Sequence, residues 1–167
     1  MKIESRRLLL YPISDEEMTI LIENENNSDM KQAYSEMLPY GIQWHYEHFR
    51  NTILGGGYAY GCFDGNQLVG FATVNADIFG EKHKYVLLDQ LFISNSRRNQ
   101  GIGKNLFQMC KQAAKDLGAE KLYLCAWSAE DSMAFYTKSG CTNALEINKE
   151  LYAEDCNNIQ LEADLDD

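Results

Sequence analysis

The chain of 167 residues is short of several things, and each shortage excludes a class of function. No window approaches the roughly 20 consecutive apolar residues of a membrane-spanning helix. Basic residues are outnumbered, 15 Lys and Arg against 25 Asp and Glu, for a net charge of −10. Such a chain lacks the broad positive face that a nucleic-acid backbone requires, so no nucleic-acid partner and no membrane is expected. The five cysteines (Cys62, Cys110, Cys125, Cys141 and Cys156) are odd in number and scattered, with no Cys-x-x-Cys pair. That pattern fits reduced thiols, three of them in apolar runs where they read as small core residues. The opening Met1-Lys2-Ile3-Glu4-Ser5-Arg6-Arg7 is charged where an export signal is apolar, so a cytoplasmic protein is expected. There is no internal repeat, low-complexity tract or linker, and the expectation is one domain over residues 1–167.

What is present is a composition able to bury a core: 45% apolar and 11% aromatic residues, which argues against disorder. The charge is uneven. Residues 95–124 hold six Lys/Arg against two acids, and residues 146–167 hold eight acids against one Lys. A basic island on an acidic protein points to a small phosphate-bearing ligand; a solvated helix face accounts for the charge equally well.

Periodicity gives the element order. Residues 2–11 read as a strand closed by Pro12, and Ser14 with Glu17 looks like a capping box opening a helix to about 24. A second helix is expected at 28–38, before Pro39, and a third at 43–54, ended by Gly55-Gly56-Gly57. The period then changes. Residues 58–63 and 67–75 flank Asp64-Gly65-Asn66, a hairpin signal, and 84–93 is a third strand. Apolar residues at 106, 110, 113 and 117 mark one face of a helix over 103–117, with Gly118 as its stop. A strand at 121–126, a helix from Ser128 to Ser139, and a closing hairpin of about 143–152 and 157–165 complete the chain. This order implies a mixed α/β (α+β) fold: a central, mostly antiparallel twisted sheet flanked by helices on both faces.

The most informative segment runs from Asp89 to Lys104. A strand ends near Ile93, a polar loop follows, and Gly101 and Gly103 sit where a strongly amphipathic helix begins. A helix N-terminus presents unpaired backbone N–H groups and partial positive charge, a natural site for an anion. Arg98 and Lys104 add full charges. Two common phosphate motifs are excluded by single residues: a Walker P-loop needs Gly at 98, where Arg98 stands, and a dinucleotide fingerprint needs Gly at 106, where Leu106 stands. On spacing alone, a tight strand-to-helix turn explains the glycines as well as an anion site does.

The pattern Leu91-x-Ile93 followed by Arg98-x-x-Gly101-x-Gly103 resembles the acetyl-CoA signature of the GNAT acyltransferase superfamily. Phe135-Tyr136-Thr137-Lys138-Ser139-Gly140 resembles that family's second motif, one helix and one strand downstream. The start, Arg6 to Ser14, is similar to that of bacterial members of the ribosomal-protein N-acetyltransferase type. The likeness extends over roughly residues 2–165. Three positions depart from the family pattern: Ala129 stands where an Asn is common, Ser132 where an Ala is frequent, and Asn95 where a Pro is usual.

The resemblance implies acetyl transfer from acetyl-CoA, as co-substrate, to a primary amine by direct attack through a tetrahedral intermediate, without metal. It implies pyrophosphate binding by Arg98, Asn99, Gln100, Gly101, Ile102, Gly103 and Lys104, further cofactor contacts from Leu91, Ser132 and Lys138, and an oxyanion donor in the backbone of Phe92 or Ile93. Tyr136 stands at the family's position for the acid that protonates the thiolate. A phenol near pKa 10 facing a thiol near 8.5 would need local tuning for that task. Asp89 is the best-placed carboxylate for a base, with alternation putting it on the same strand face as Leu91 and Ile93, but a hydrogen-bonded structural Asp with a water wire removing the proton fits at least as well; His83, Tyr85 and Glu36 are weaker candidates. His45-x-x-His48 places two imidazoles on one helical face, but two ligands without a third seldom make a metal site. Seven acids against one Lys over residues 14–36 would favour a cationic acceptor such as a polyamine, an aminoglycoside or a protein N-terminus, and solvated helix faces account for them just as well. Dimers are common in the family. The alternatives are a non-catalytic CoA-binding sensor or partner domain, and the same fold using another acyl-CoA.

Overall fold

The computed structural model describes residues 3–5, 8–12, 41–65 and 67–166, with backbone alone for 3–5, 8–12 and 41–46. The helices expected at 14–24 and 28–38, and Glu36, lie outside the described residues. The elements are β1 (Ile3–Ser5), β2 (Leu8–Pro12), α1 (Gly41–Leu54), β3 (Tyr58–Asp64), β4 (Gln67–Val74) and β5 (Tyr85–Ile93). A 3-10 turn at Asn95–Arg97 leads into α2 (Ile102–Asp116), β6 (Lys121–Ala126), α3 (Glu130–Lys138), β7 (Thr142–Asn143), α4 (Lys149–Glu154) and β8 (Ile159–Asp164). The strands form one sheet in the order β1-β2-β3-β4-β5-β6-β8-β7. Every neighbouring pair is antiparallel except β5 and β6, which run parallel because α2 carries the chain back between them.

Helices cover both faces. On one, α2 lays Ile102, Leu106, Phe107, Cys110, Ala113 and Ala114 against Val69, Ala72, Val74, Val86, Leu88, Leu122 and Leu124. On the other, Phe49 of α1 packs on Ala59 and Phe71, its ring edge-on to Phe71 at 5.0 Å. Gly118 ends α2 with a φ of 82°. The Ala119 N–H reaches the Ala114 carbonyl and the Gly118 N–H that of Lys115, both at 2.9 Å, a Schellman closure that Gly adopts without steric cost.

Three expectations are corrected. The strand read at 2–11 is two strands, paired antiparallel from Ile3↔Leu10 to Ser5↔Leu8. Neither Arg6 nor Arg7 is a turn-forming residue, so nothing in the sequence divided the run. The tail hairpin keeps its second strand, β8, but of the first only the start remains as strand, in the short β7. Its end lies in α4, because the Asn148 side chain caps that helix, accepting from the N–H of Glu150 at 3.0 Å and Leu151 at 3.1 Å. Last, α3 begins after Ala129, not Ser128, and no side chain caps it.

Two irregularities shape the centre of the sheet. Thr73 pairs with Gln90 and Val74 with Leu88, so β5 bulges at Asp89. Before the bulge Val86 and Leu88 face α2; after it Leu91 and Ile93 do, while Phe92 turns to the Phe49 cluster. The second irregularity is a divergence. β5 and β6 pair only from Tyr85↔Lys121 to Leu88↔Leu124. Beyond that β5 follows β4 as far as Ile93↔Gly70, and β6 follows β8 as far as Ala126↔Ile159. Among the described residues, the edge of β5 from Asp89 to Ile93 has no strand neighbour on that side.

Candidate functional site

Where β5 and β6 part, a cleft of about 500 Å³ opens through the sheet. Asp89–Phe92 and Leu124–Trp127 form its walls, with Phe71, Tyr136, Leu151, Glu154 and Asp155 around the rim. A second cleft of about 620 Å³ runs along the start of α2 and the side of α3. Leu91, Phe92, Arg98, Ser132 and Tyr136 line both, so the two are one groove crossing from the α1 face to the α2 face.

The second cleft is lined by Ile93, Asn99, Gly101, Ile102, Gly103, Lys104 and Lys138 as well. Of the residues expected around the helix start, Gln100 alone lines neither cleft; its side chain leans back on the Ser96 carbonyl at 3.4 Å. The local backbone explains the sequence. Asn99 and Gly101 both have left-handed φ, 61° and 82°, which Asn tolerates and Gly adopts freely. They fold the loop so that α2 starts with its N–H groups outward. Asn105 N–H is the first to close on the Gly101 carbonyl, at 3.1 Å, so the amides of Ile102, Gly103 and Lys104 lack acceptors within the helix. Gly103 answers a different need: a Cβ there would lie 3.2 Å from the Phe135 ring. Arg98 rests its Nε on the Ile93 carbonyl at 3.3 Å and is otherwise exposed, as are Lys104 and Lys138. Arg97 pairs with Asp64 and so anchors the loop to β3.

Asp89 lines the first cleft, but the bulge turns its side chain away from the face of Leu91 and Ile93. It is hydrogen-bonded to His48 Nε2 of α1, and Thr73 Oγ1 lies 3.5 Å away. Strict alternation therefore misplaced it, because a bulge shifts the two-residue period by one. The hydrogen bond to Asp89 raises the His48 pKa above its ordinary value, against the lowering effect of burial. His48 was the residue the sequence undervalued: its motif read as half a metal site, and the partner stands 41 positions away. The side chain of His45 lies outside the described residues. Among those described, no three His, Cys, Asp or Glu side chains gather in a way that could hold a metal ion.

Tyr136 lies at the junction of the two clefts, edge-on to Phe135 at 5.1 Å and Phe107 at 6.1 Å. Burial pushes its phenol well above the ordinary value, the reverse of the tuning that full proton donation would call for. The weaker base candidates sit elsewhere. Tyr85 is fully buried and donates to Glu162 at 2.7 Å, and His83 lies 3.5 Å from Glu120; neither lines the groove. Cys125 does, but burial pushes its thiol up to about 11, with the charges of Glu154, Asp89 and Asp155 adding to the effect. It is a protonated thiol at neutral pH, not a nucleophile.

Comparison with known proteins agrees with this architecture. The model of the acetyltransferase (GNAT) family matches residues 20–141; the start at Arg6 to Ser14 falls outside the match. Among solved structures, the chain is similar to a PaiA N-acetyltransferase from Thermoplasma acidophilum in complex with coenzyme A, with 19% identity over 94% of this chain and 98% of that one and a TM-score of 0.67. A GNAT-family acetyltransferase from Staphylococcus aureus gives 16% identity, 95% and 99% coverage and a TM-score of 0.70. An aminoglycoside 6'-acetyltransferase type Ii gives 18% identity, 93% and 96% coverage and a TM-score of 0.69. No curated protein matches the sequence. No described helix is long and apolar enough to cross a membrane.

Proposed function

Because the chain belongs to the GNAT family of acetyltransferases, we propose that it transfers an acetyl group from acetyl-CoA to a primary amine by direct attack. The observation that carries this reading is the groove. The open N-terminus of α2 with Gly101 and Gly103 meets, at Tyr136 and Phe92, a cleft that reaches the opposite face of the sheet. A two-substrate reaction needs such a passage, with one partner entering from each face.

The residues suit coenzyme A. Nothing lies within 4 Å of where a Cβ on Gly101 would be, leaving space for a diphosphate against the amides of Ile102, Gly103 and Lys104, whose helix dipole favours an anion. Arg98, Lys104 and Lys138 supply exposed positive charge on the same cleft. The unpaired edge of β5 holds the thioester, with the N–H of Phe92 or Ile93 as donor to the developing oxyanion, commonly the largest catalytic contribution. Asp89, on the acceptor side, takes a proton from the amine. Tyr136 stays protonated and donates a hydrogen bond to the departing sulfur.

The acceptor cleft carries Asp89, Glu154 and Asp155, which favours a cationic amine over a neutral or acidic one. The test is calorimetric titration with acetyl-CoA followed by thiol release with spermidine, kanamycin and a short peptide with a free N-terminus. Micromolar binding and amine-dependent thiol release are expected. Binding without release for any amine would mean a CoA-binding sensor instead, and faster release from a longer acyl-CoA would reassign the acyl group.

A further inference from the structure

His48 is joined to Asp89, the one carboxylate on β5 that lines the acceptor cleft, and the reading of that cleft given above does not use it. Building on that reading, we propose that His48 is a positioning residue that takes up, through Asp89, the proton the amine must lose. Deprotonating the amine is the difficult step. An alkylammonium titrates near 10 and a carboxylate near 4, so transfer from one to the other in water is about six units uphill. An imidazole in contact with the carboxylate shortens that gap. Neutral His48 carries its own proton on Nδ1, so the proton leaves the ammonium nitrogen for one oxygen of Asp89 and Oδ2 passes a proton to the unprotonated Nε2. Asp89 ends as carboxylate beside an imidazolium, and the free amine attacks the thioester. The second amine proton ends on the CoA sulfur, and His48 returns its proton to solvent.

The surroundings fit this role. The His48 and Asp89 side chains are 28% and 18% exposed, enough for solvent to collect the proton and enough burial to strengthen their contact. Among the described groups whose effect on His48 is resolved, Asp89 is the charged one. β4 presents neutral Thr73 to the pair. On α1 itself, Glu47 and Arg50 flank His48 and are exposed. Thr52, one turn on, is bound to the His48 carbonyl at 3.1 Å and to Asn75 at 3.2 Å, which fixes this stretch of helix over β4. The bulge completes the device, since it brings Asp89 to the face that α1 covers.

The experiment compares wild type with His48→Gln, which keeps a hydrogen-bond donor for Asp89 but cannot accept a proton. Calorimetry with CoA comes first, and equal affinity certifies the variant's fold. With acetyl-CoA and whichever of the three amines is turned over, the wild-type kcat should rise with pH and level off above the His48 titration. His48→Gln should lower kcat by about 10- to 100-fold at neutral pH, leave the KM for acetyl-CoA unchanged, and rise with pH without levelling. A variant with the wild-type kcat and pH profile overturns the proposal. A second arm needs neither acceptor nor variant: the His48 ring signals followed by NMR against pH. A midpoint above 6.5 is expected, and one at or below it overturns the proposal. If none of the amines is turned over, the proposed function itself fails, and the proton route fails with it.

Discussion

Replacing Gly101 by Glu and, separately, by Gln isolates the electrostatics of the CoA site. Both side chains force a β-carbon onto a backbone with φ of 82°, at a cost of roughly 1–2 kcal/mol. Both meet open space, since nothing lies within 4 Å of the Cβ position. Both variants should therefore melt lower than wild type by a similar amount, about 2–4 °C for each kcal/mol in a chain of this size. They differ only in charge. A carboxylate about 4 Å from one phosphate charge is repelled by about 1 kcal/mol in a water-like setting and about 4 kcal/mol at an effective dielectric near 20. Position 101 is exposed, so the lower end of that range applies, and 1.4 kcal/mol is a factor of ten. Calorimetry should show Gly101→Glu binding CoA about 5-fold more weakly than Gly101→Gln, with the gap closing in high salt. Two variants with equal CoA affinity would refute an anion site at the start of α2.

Tyr136→Phe removes the hydroxyl but keeps a ring against Phe107 and Phe135. Calorimetry should show unchanged CoA affinity, and steady-state kinetics a kcat lowered by about 10- to 100-fold. Ala129→Asn supplies the side-chain cap that α3 lacks, worth about 1 kcal/mol, and should raise Tm in a thermal melt while CoA affinity holds or improves. Leu106→Ala, at a fully buried position under the sheet, should cost about 2–5 kcal/mol in denaturant unfolding. The folded-state pKa of His48 is raised, so its contribution to stability is fully present below the unfolded value of 6.5 and is lost as pH rises through the folded value. The stability difference between wild type and His48→Gln, measured by unfolding at a series of pH values, should shrink over that window.

The sequence disclosed those parts of the molecule that are local. The amphipathic run from Leu106 to Leu117, the turn at Asp64-Gly65, and the glycines that open α2 each declare themselves within a few residues. The groove beside α2 follows from them, and of its expected lining residues only Gln100 turned away. What stayed hidden depends on pairing across the sheet. The bulge at Asp89 arises from how β5 registers with β4, and no residue type near 89 announces it. The contact of His48 with Asp89 joins a helix to a strand 41 residues later, beyond the reach of any periodicity. The α4 helix was legible in principle from Asn148 and the helix formers after it, but the β-branched and aromatic residues around it read as strand.

The most direct measurement is thiol release from acetyl-CoA with each of the three amines, followed by mass spectrometry of the amine product. One acetyl group on the amine nitrogen, formed in step with free CoA and slowed in Gly101→Glu at low acetyl-CoA, is the result this account predicts. Thiol release that leaves the amine unmodified, or that persists undiminished in Gly101→Glu, would contradict it.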